Sequence, residues 1–209
     1  MRPKVALMVI TDGRWDYLQD CLESAFEWLD WPFEQCLLID DSAEGRHMRI
    51  PGWDIIQNSE RKGLAGAIQT GWDALNDDIE YVFHLEDDFI FPREVPIGSM
   101  LHQLEETPDL AQIALLRQPW SPEEHSAGGI IEMNPNDYTQ IGHKIVHQRL
   151  FTFNPCIYPR WVIRYRADLE AGLTAQLLDD GKQFAYFGEI GDKPRCTHIG
   201  VRRTRNWQL

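Results

Sequence analysis

Tyr81-Val82-Phe83-His84-Leu85-Glu86-Asp87-Asp88-Phe89-Ile90-Phe91 sets three adjacent carboxylates between two apolar runs. The run before them, Tyr81 to Leu85, is almost wholly apolar, which suits a buried strand. Three neighbouring acids at the end of such a strand repel one another and resist desolvation. A divalent cation removes both penalties, and hard oxygen donors suit Mg²⁺ or Mn²⁺. Side chains alternate along a strand, so Glu86 and Asp88 can share one face. The bland alternative is an acidic strand end standing in water.

Upstream of this stretch, strand and helix alternate. Lys4 to Ile10 is an aliphatic run that ends in Thr11-Asp12. Arg14 to Leu29 carries Trp15, Leu18, Leu22, Ala25, Phe26 and Leu29 at helical spacing. Cys36 to Ile39 is a second strand that stops at Asp40-Asp41-Ser42, and Trp53 to Gln57 is a short third. Lys62 to Leu75 is a helix opened by Arg61-Lys62-Gly63-Leu64-Ala65-Gly66. Strands separated by helices build β-α-β units and a mostly parallel sheet. In such a sheet ligands sit beyond the carboxyl ends of the strands, where Thr11-Asp12, Asp40-Asp41 and Glu86-Asp87-Asp88 converge. Asp40-Asp41-Ser42 also reads as a plain Asx-turn. The basic helix start could meet a phosphate, although it lacks the Gly-Lys-Ser/Thr of a P-loop.

Downstream the pattern loosens. Val95 to Glu106 reads as helix and Ala111 to Arg117 as strand. Residues 118 to 143 form a long loop rich in Pro, Gly, Ser and Asn. Lys144 to Phe153 reads as strand, with a Pro-bounded segment at Asn154-Pro155. Asp168 to Asp180 reads as a helix stopped by Gly181, and Phe184 to Phe187 as a last strand. The tail from His198 to Leu209 is basic and has no clear period.

The chain has 209 residues, 43% of them hydrophobic and 25% charged, which suits one globular domain and excludes disorder as the main state. Twenty Lys and Arg against 33 Asp and Glu give a net charge of −13. A nucleic-acid partner is therefore disfavoured, and a neutral acceptor or a metal-held anionic ligand is favoured. No apolar run approaches the roughly 20 residues of a membrane span. Val5 to Ile10 is too short for the core of a signal peptide. Cys21, Cys36, Cys156 and Cys196 form no C-x-x-C pair and read as reduced thiols. The expected location is cytoplasmic.

The order Val5-to-Thr11, Leu38-Ile39-Asp40-Asp41-Ser42, Arg61-Lys62-Gly63-Leu64-Ala65-Gly66-Ala67, then His84-Leu85-Glu86-Asp87-Asp88 resembles the nucleotide-sugar half of GT-A glycosyltransferases. The nearest group is the family-2-like one, with Glu-Asp-Asp as a variant of the D-x-D motif. The resemblance implies a single α/β GT-A domain with a mostly parallel, Rossmann-like sheet flanked by helices. Residues 1–92 would bind the nucleotide sugar, and the less regular 93–209 would bind the acceptor. Thr11 and Asp41 would contact the base, with Asp12, Arg14 and Asp40 in the same pocket. Arg61 or Lys62 would lie near the base or diphosphate. Asp88 would bind the metal, Mn²⁺ or Mg²⁺, while Glu86 and Asp87 would act through water or the ribose. Thr11-Asp12-Gly13-Arg14 and Gln69 depart from the family's usual turn and Asn.

The same resemblance implies that Glu170, at the head of a helix, takes the place of the catalytic Asp. Glu189 is a second candidate. His198 resembles a late histidine that serves some GT-A enzymes as a metal ligand. Trp120, Trp161 and Trp207 could stack on a sugar, but aromatics more often belong to the core. The implied activity is hexosyltransferase-like: a sugar moves from a nucleotide-diphosphate donor, a UDP-sugar first among them, to a glycan, protein or small-molecule hydroxyl. Inversion would follow if Glu170 is the general base. Three alternatives stand beside it. One is a nucleotide-sugar-binding module without turnover. Another is a sugar-nucleotide nucleotidyltransferase, which lacks its Gly-rich signature here. The third is a phage-type DNA-modifying glycosyltransferase, kept open by Arg202-Arg203-Thr204-Arg205.

Overall fold

A computed structural model of the chain describes residues 2–45, 48–118, 131, 133–166 and 170–200, with the backbone alone at 118. Four strands make up its first half: β1 (Val5–Thr11), β2 (Gln35–Asp40), β3 (Asp54–Gln57) and β4 (Tyr81–Glu86). They pair in parallel in the order β3-β2-β1-β4. Helix α1 (Trp15–Trp28) joins β1 to β2, and α2 (Gly63–Asp73) joins β3 to β4. Each of these elements lies within two residues of its sequence-predicted bounds.

The alternation of side chains divides the core into two layers. Val5, Leu7, Val9, Phe83 and Leu85 pack with Leu18, Leu22 and Ala25 of α1. The same face holds Met100, Leu101 and Leu104 of α3 (Ile97–Glu106). Ala6, Met8, Ile10 and Val82 face Ile68 and Trp72 of α2, and Leu173 and Leu177 of α4 (Glu170–Asp179). Helices therefore cover both faces, as a buried parallel sheet requires.

The second half extends the sheet. After β5 (Phe89–Ile90) come β6 (Leu110–Leu115), β7 (Arg117–Gln118), β8 (Tyr138–Ile141), β9 (Lys144–His147), β10 (Cys156–Pro159), β11 (Gln183–Phe187) and β12 (Cys196–His198). The nine-stranded sheet runs β3-β2-β1-β4-β10-β6-β11-β9-β8, and β5-β12-β7 form a second, small sheet. The expected mostly parallel α/β domain is present. No helix of the described residues is long and apolar enough to cross a membrane.

Four local expectations are corrected. The segment after Asn154-Pro155 is a strand, β10, wedged antiparallel between β4 and β6. Ala111 to Arg117 is two strands, because the chain leaves the large sheet after Leu115 and joins the small one at Arg117. Lys144 to Phe153 is a strand only to His147. Beyond it the amides of Phe151, Thr152 and Phe153 donate to side chains of Thr174, Gln112 and Glu170, which replaces a strand partner. The long loop from 118 to 143 contains β8, while Trp120, Asp168, Trp207 and the basic tail beyond 200 lie outside the described residues.

Candidate active site

Parallel register brings the carboxyl ends of three strands to one edge. Thr11 pairs with Asp40, and Ile10 with Glu86. After β1 the chain must reverse into α1 at once. Gly13 permits this with φ +96°, and a Cβ there would stand 2.7 Å from Cβ of Ser42. Its amide donates to Oγ1 of Thr11 (3.1 Å), and the Thr11 hydroxyl donates to Oδ2 of Asp87 (2.6 Å). The turn places Arg14 at the N-cap of α1, with its side chain across the strand ends. Nε of Arg14 donates to Oδ1 of Asp12 (2.9 Å), Nη1 to Oδ2 of Asp88 (2.6 Å) and Nη2 to Oδ1 of Asp87.

The small sheet completes the site. His198 of β12 pairs with Phe89 of β5, and the Ile199 amide donates to the Asp88 carbonyl (2.8 Å). Nε2 of His198 comes to 3.2 Å from Oδ2 of Asp88, with its ring against Phe89. The other oxygen, Oδ1 of Asp88, is buried and has no hydrogen-bond partner. Gly200 closes the cradle. A Cβ there would come within 2.2 Å of Oδ2 of Asp88 and 2.8 Å of Nε2 of His198. Among the described residues no group of three or more His, Cys, Asp or Glu side chains is arranged to hold a metal ion.

Electrostatics follows from burial. Burial opposes the charge on Arg14, yet Asp87, Asp88 and Asp12 outweigh it and hold the guanidinium protonated. Burial pushes the Asp87 carboxyl up to about 7, against the pull of Arg14. Burial also works to raise Asp88, but the His198 and Arg14 contacts hold it below the ordinary carboxylate range. Glu86, at the end of β4, is pushed well up by burial, then by the charges of Asp88, Glu170 and Asp87. Glu170, at the head of α4, accepts the Phe153 amide through Oε1 (2.5 Å). Burial raises its carboxyl, while the Phe153 amide and Arg117 pull it back.

A profile of the family described as "Glycosyl transferase family 2" matches residues 7–157. The chain belongs to glycosyl transferase family 2. Among solved structures, this family 2 chain is similar to the mannosyltransferase PcManGT from Pyrobaculum calidifontis in complex with GDP-Man and Mn²⁺. The TM-score is 0.67 at 14% identity, over 97% of this chain and 59% of that one. It is also similar to GalNAc-T7 with UDP, GalNAc and Mn²⁺, with a TM-score of 0.64 at 10% identity, over 99% of this chain and 45% of that one. The chain thus spans about half the length of these structures, and the likeness is one of fold. A search of curated protein sequences finds no significant match.

Within the family 2 site the remaining sequence-predicted residues have definite places. Thr11, Asp12, Arg14, Asp87, Asp88 and His198 form one network. Asp41, expected at the base, is buried with both oxygens engaged. Oδ1 accepts from the Asn58 amide group (2.7 Å) and the Lys62 backbone (2.9 Å), and Oδ2 from the Gly63 backbone (2.9 Å). It caps α2 from a distance. Asp40 closes an Asx-turn onto the Ser42 amide (2.9 Å) and accepts from Gln57. Arg61 ties the Ser42 and Asp12 carbonyls together. Lys62 lies along α2 with Nζ on Thr70. Glu189 sits on an exposed turn, paired with His143 (3.0 Å). Trp161 packs edge-on to Tyr165 under Nζ of Lys182.

One buried cation escaped the sequence reading. Arg117, at the start of β7, lies over the Phe89 ring (5.8 Å), and its field reaches Glu86, Asp88 and Glu170. Its signal was an arginine directly after the apolar run Ile113 to Leu116.

Proposed function

We propose that the chain moves a sugar from a nucleotide-diphosphate donor, a UDP-sugar in the first instance, to an acceptor hydroxyl on a glycan, protein or small molecule. The reaction depends on Mn²⁺ or Mg²⁺ and inverts the anomeric carbon. Residues 1–92 hold the donor and 93–209 the acceptor, in the cytoplasm. The observation that carries this reading is the Asp88–His198 cradle at the carboxyl edge. One oxygen of the buried Asp88 carboxylate has no partner, an imidazole stands 3.2 Å from the other, and the residue packed against both is a glycine with no side chain to crowd them. Carboxylate plus imidazole suits Mn²⁺ and tolerates Mg²⁺. Two protein donors are few, which fits an ion that completes its shell with donor phosphate oxygens and water. GDP-Man, UDP and Mn²⁺ in the similar structures support the same reading.

Asp88 and His198 would hold the ion, and Glu86 and Asp87 would act through water or the ribose. When bound, a divalent ion supplies Lewis-acid stabilisation to the departing nucleoside diphosphate. Glu170 takes the proton of the acceptor hydroxyl. The acceptor oxygen then bonds to the anomeric carbon from the face opposite the leaving group, and the bond to the diphosphate breaks. A buried carboxyl with a raised pKa is the better base near neutral pH. The test is turnover of a panel of sugar nucleotides with Mn²⁺ by the wild type and Asp88→Ala. We expect metal-dependent release of nucleoside diphosphate that disappears in the variant while the melting temperature is kept. Equal turnover by both would remove Asp88 from the site.

A further inference from the structure

We infer that Arg14 is a resident counter-cation of the carboxylate cluster, and that a divalent ion binds at Asp88 by displacing its Nη1. This deepens the metal-dependent reading and rests on it. Three observations carry it. The guanidinium is held on three sides, by Oδ1 of Asp12, Oδ1 of Asp87 and Oδ2 of Asp88, and lies over the Tyr17 ring at 5.5 Å. These partners are themselves buried, so without a cation three carboxylates would face one another out of water. And the Asp88 oxygen that takes Nη1 is the one beside His198, so an ion that takes this oxygen and the imidazole, in addition to the unpartnered Oδ1, meets Arg14 at that atom.

The geometry also shows what remains after exchange. Nε stays on Asp12 and Nη2 on Asp87, two anchors in the first positions after β1 and β4. Arg14 therefore keeps its place, and only the Asp88 contact is given up. Such an arrangement keeps the cluster folded before the ion arrives. It also sets the ion's affinity low, because a fixed positive charge stands beside the site. A unit charge at ~4 Å opposes a cation by at least about tenfold even in a water-like medium.

The test is Mn²⁺ binding at fixed pH, followed by the EPR signal of the free ion, for the wild type, Arg14→Gln, Arg14→Lys and Asp88→Asn. Arg14→Gln should bind Mn²⁺ about tenfold or more tighter than wild type. Its melting temperature should be lower without metal and recover in saturating Mn²⁺, because the ion takes over the neutralising role. Arg14→Lys, which keeps the charge and is the variant to rely on should Arg14→Gln not fold, should stay within a few-fold of wild type. Asp88→Asn should lose the site. Weaker or equal Mn²⁺ binding by Arg14→Gln, with Asp88→Asn still defective, would overturn the exchange and leave the metal site standing. Wild-type binding by Asp88→Asn would overturn both. In the wild type, Mg²⁺ should also perturb the Arg14 guanidinium NMR signals, and unchanged signals at saturation would count against displacement.

Discussion

Gly200 shows how much of the site depends on a missing atom. Asp88 and His198 leave no space for a methyl group beside them, so Gly200→Ala must push one of the two away. Overpacking of this kind costs about 1–3 kcal/mol and falls on the cradle rather than on the core. We expect metal-dependent turnover to fall about tenfold or more, with the melting temperature lowered by several degrees at most. A fully active Gly200→Ala protein would mean that the ion does not use this cradle. Legibility at this scale was uneven. Glu86-Asp87-Asp88 announced itself because three acids interrupt an apolar run. Arg117 did not, because one arginine after a strand is ordinary until a second sheet folds it over Phe89.

At the scale of elements, α2 and α4 are each tied to the site through a carboxylate near their N-termini. Asp41 takes the amides of Lys62 and Gly63, the first orphan donors of α2, and belongs to the loop after β2. Asp41→Ala should destabilise the protein by about 1–3 kcal/mol in chemical denaturation, the range of a lost cap that also takes a partner from the buried Asn58. Unchanged stability would show that water replaces the cap. Glu170 starts α4 and reaches back to the Phe153 amide. As a general base, Glu170→Gln should lower kcat by about 10²–10⁴ and spare donor affinity. A residue that only steadies the helix end would alter the melting temperature and leave kcat alone. The β-α-β elements before residue 92 were readable because each carries its own apolar pattern, although β4 pairs with β1 from 76 residues away. β10 was not, because its own four residues show no period and end in proline.

The whole molecule responds to pH through groups of opposite sign. Asp87, Glu86 and Glu170 have raised carboxyls, so the folded state holds their protons more tightly than the unfolded chain. Their contribution to stability weakens as pH rises through their folded values. His147 behaves the other way. It is buried among Tyr138, Phe184 and Tyr186, and burial, then the charge of Arg149, lowers its imidazole to about 4. Between about 6.5 and 4 the unfolded chain binds a proton that the folded protein refuses, so this stability is intact above 6.5 and lost as pH falls. The loss is about 3 kcal/mol over that window. The difference in unfolding free energy between wild type and His147→Phe, measured from pH 8 to 4, isolates this one group. We expect it to be flat above 6.5 and to shrink below, and a flat difference throughout would show that His147 titrates normally.

The sequence by itself determined the α/β class, the order and bounds of the first four strands, and the edge where chemistry-bearing residues gather. Those properties rest on local periodicity and on the cost of burying adjacent acids, and both are written within a dozen residues. Tertiary structure alone decided which side chains touch. Arg14 meets Asp87 and Asp88 across 73 and 74 residues, and His198 meets Asp88 across 110. It also gave Asp41 a cap to form. These pairings depend on strand register and on the angle at which a small sheet folds over a large one, and no spacing along the chain encodes either.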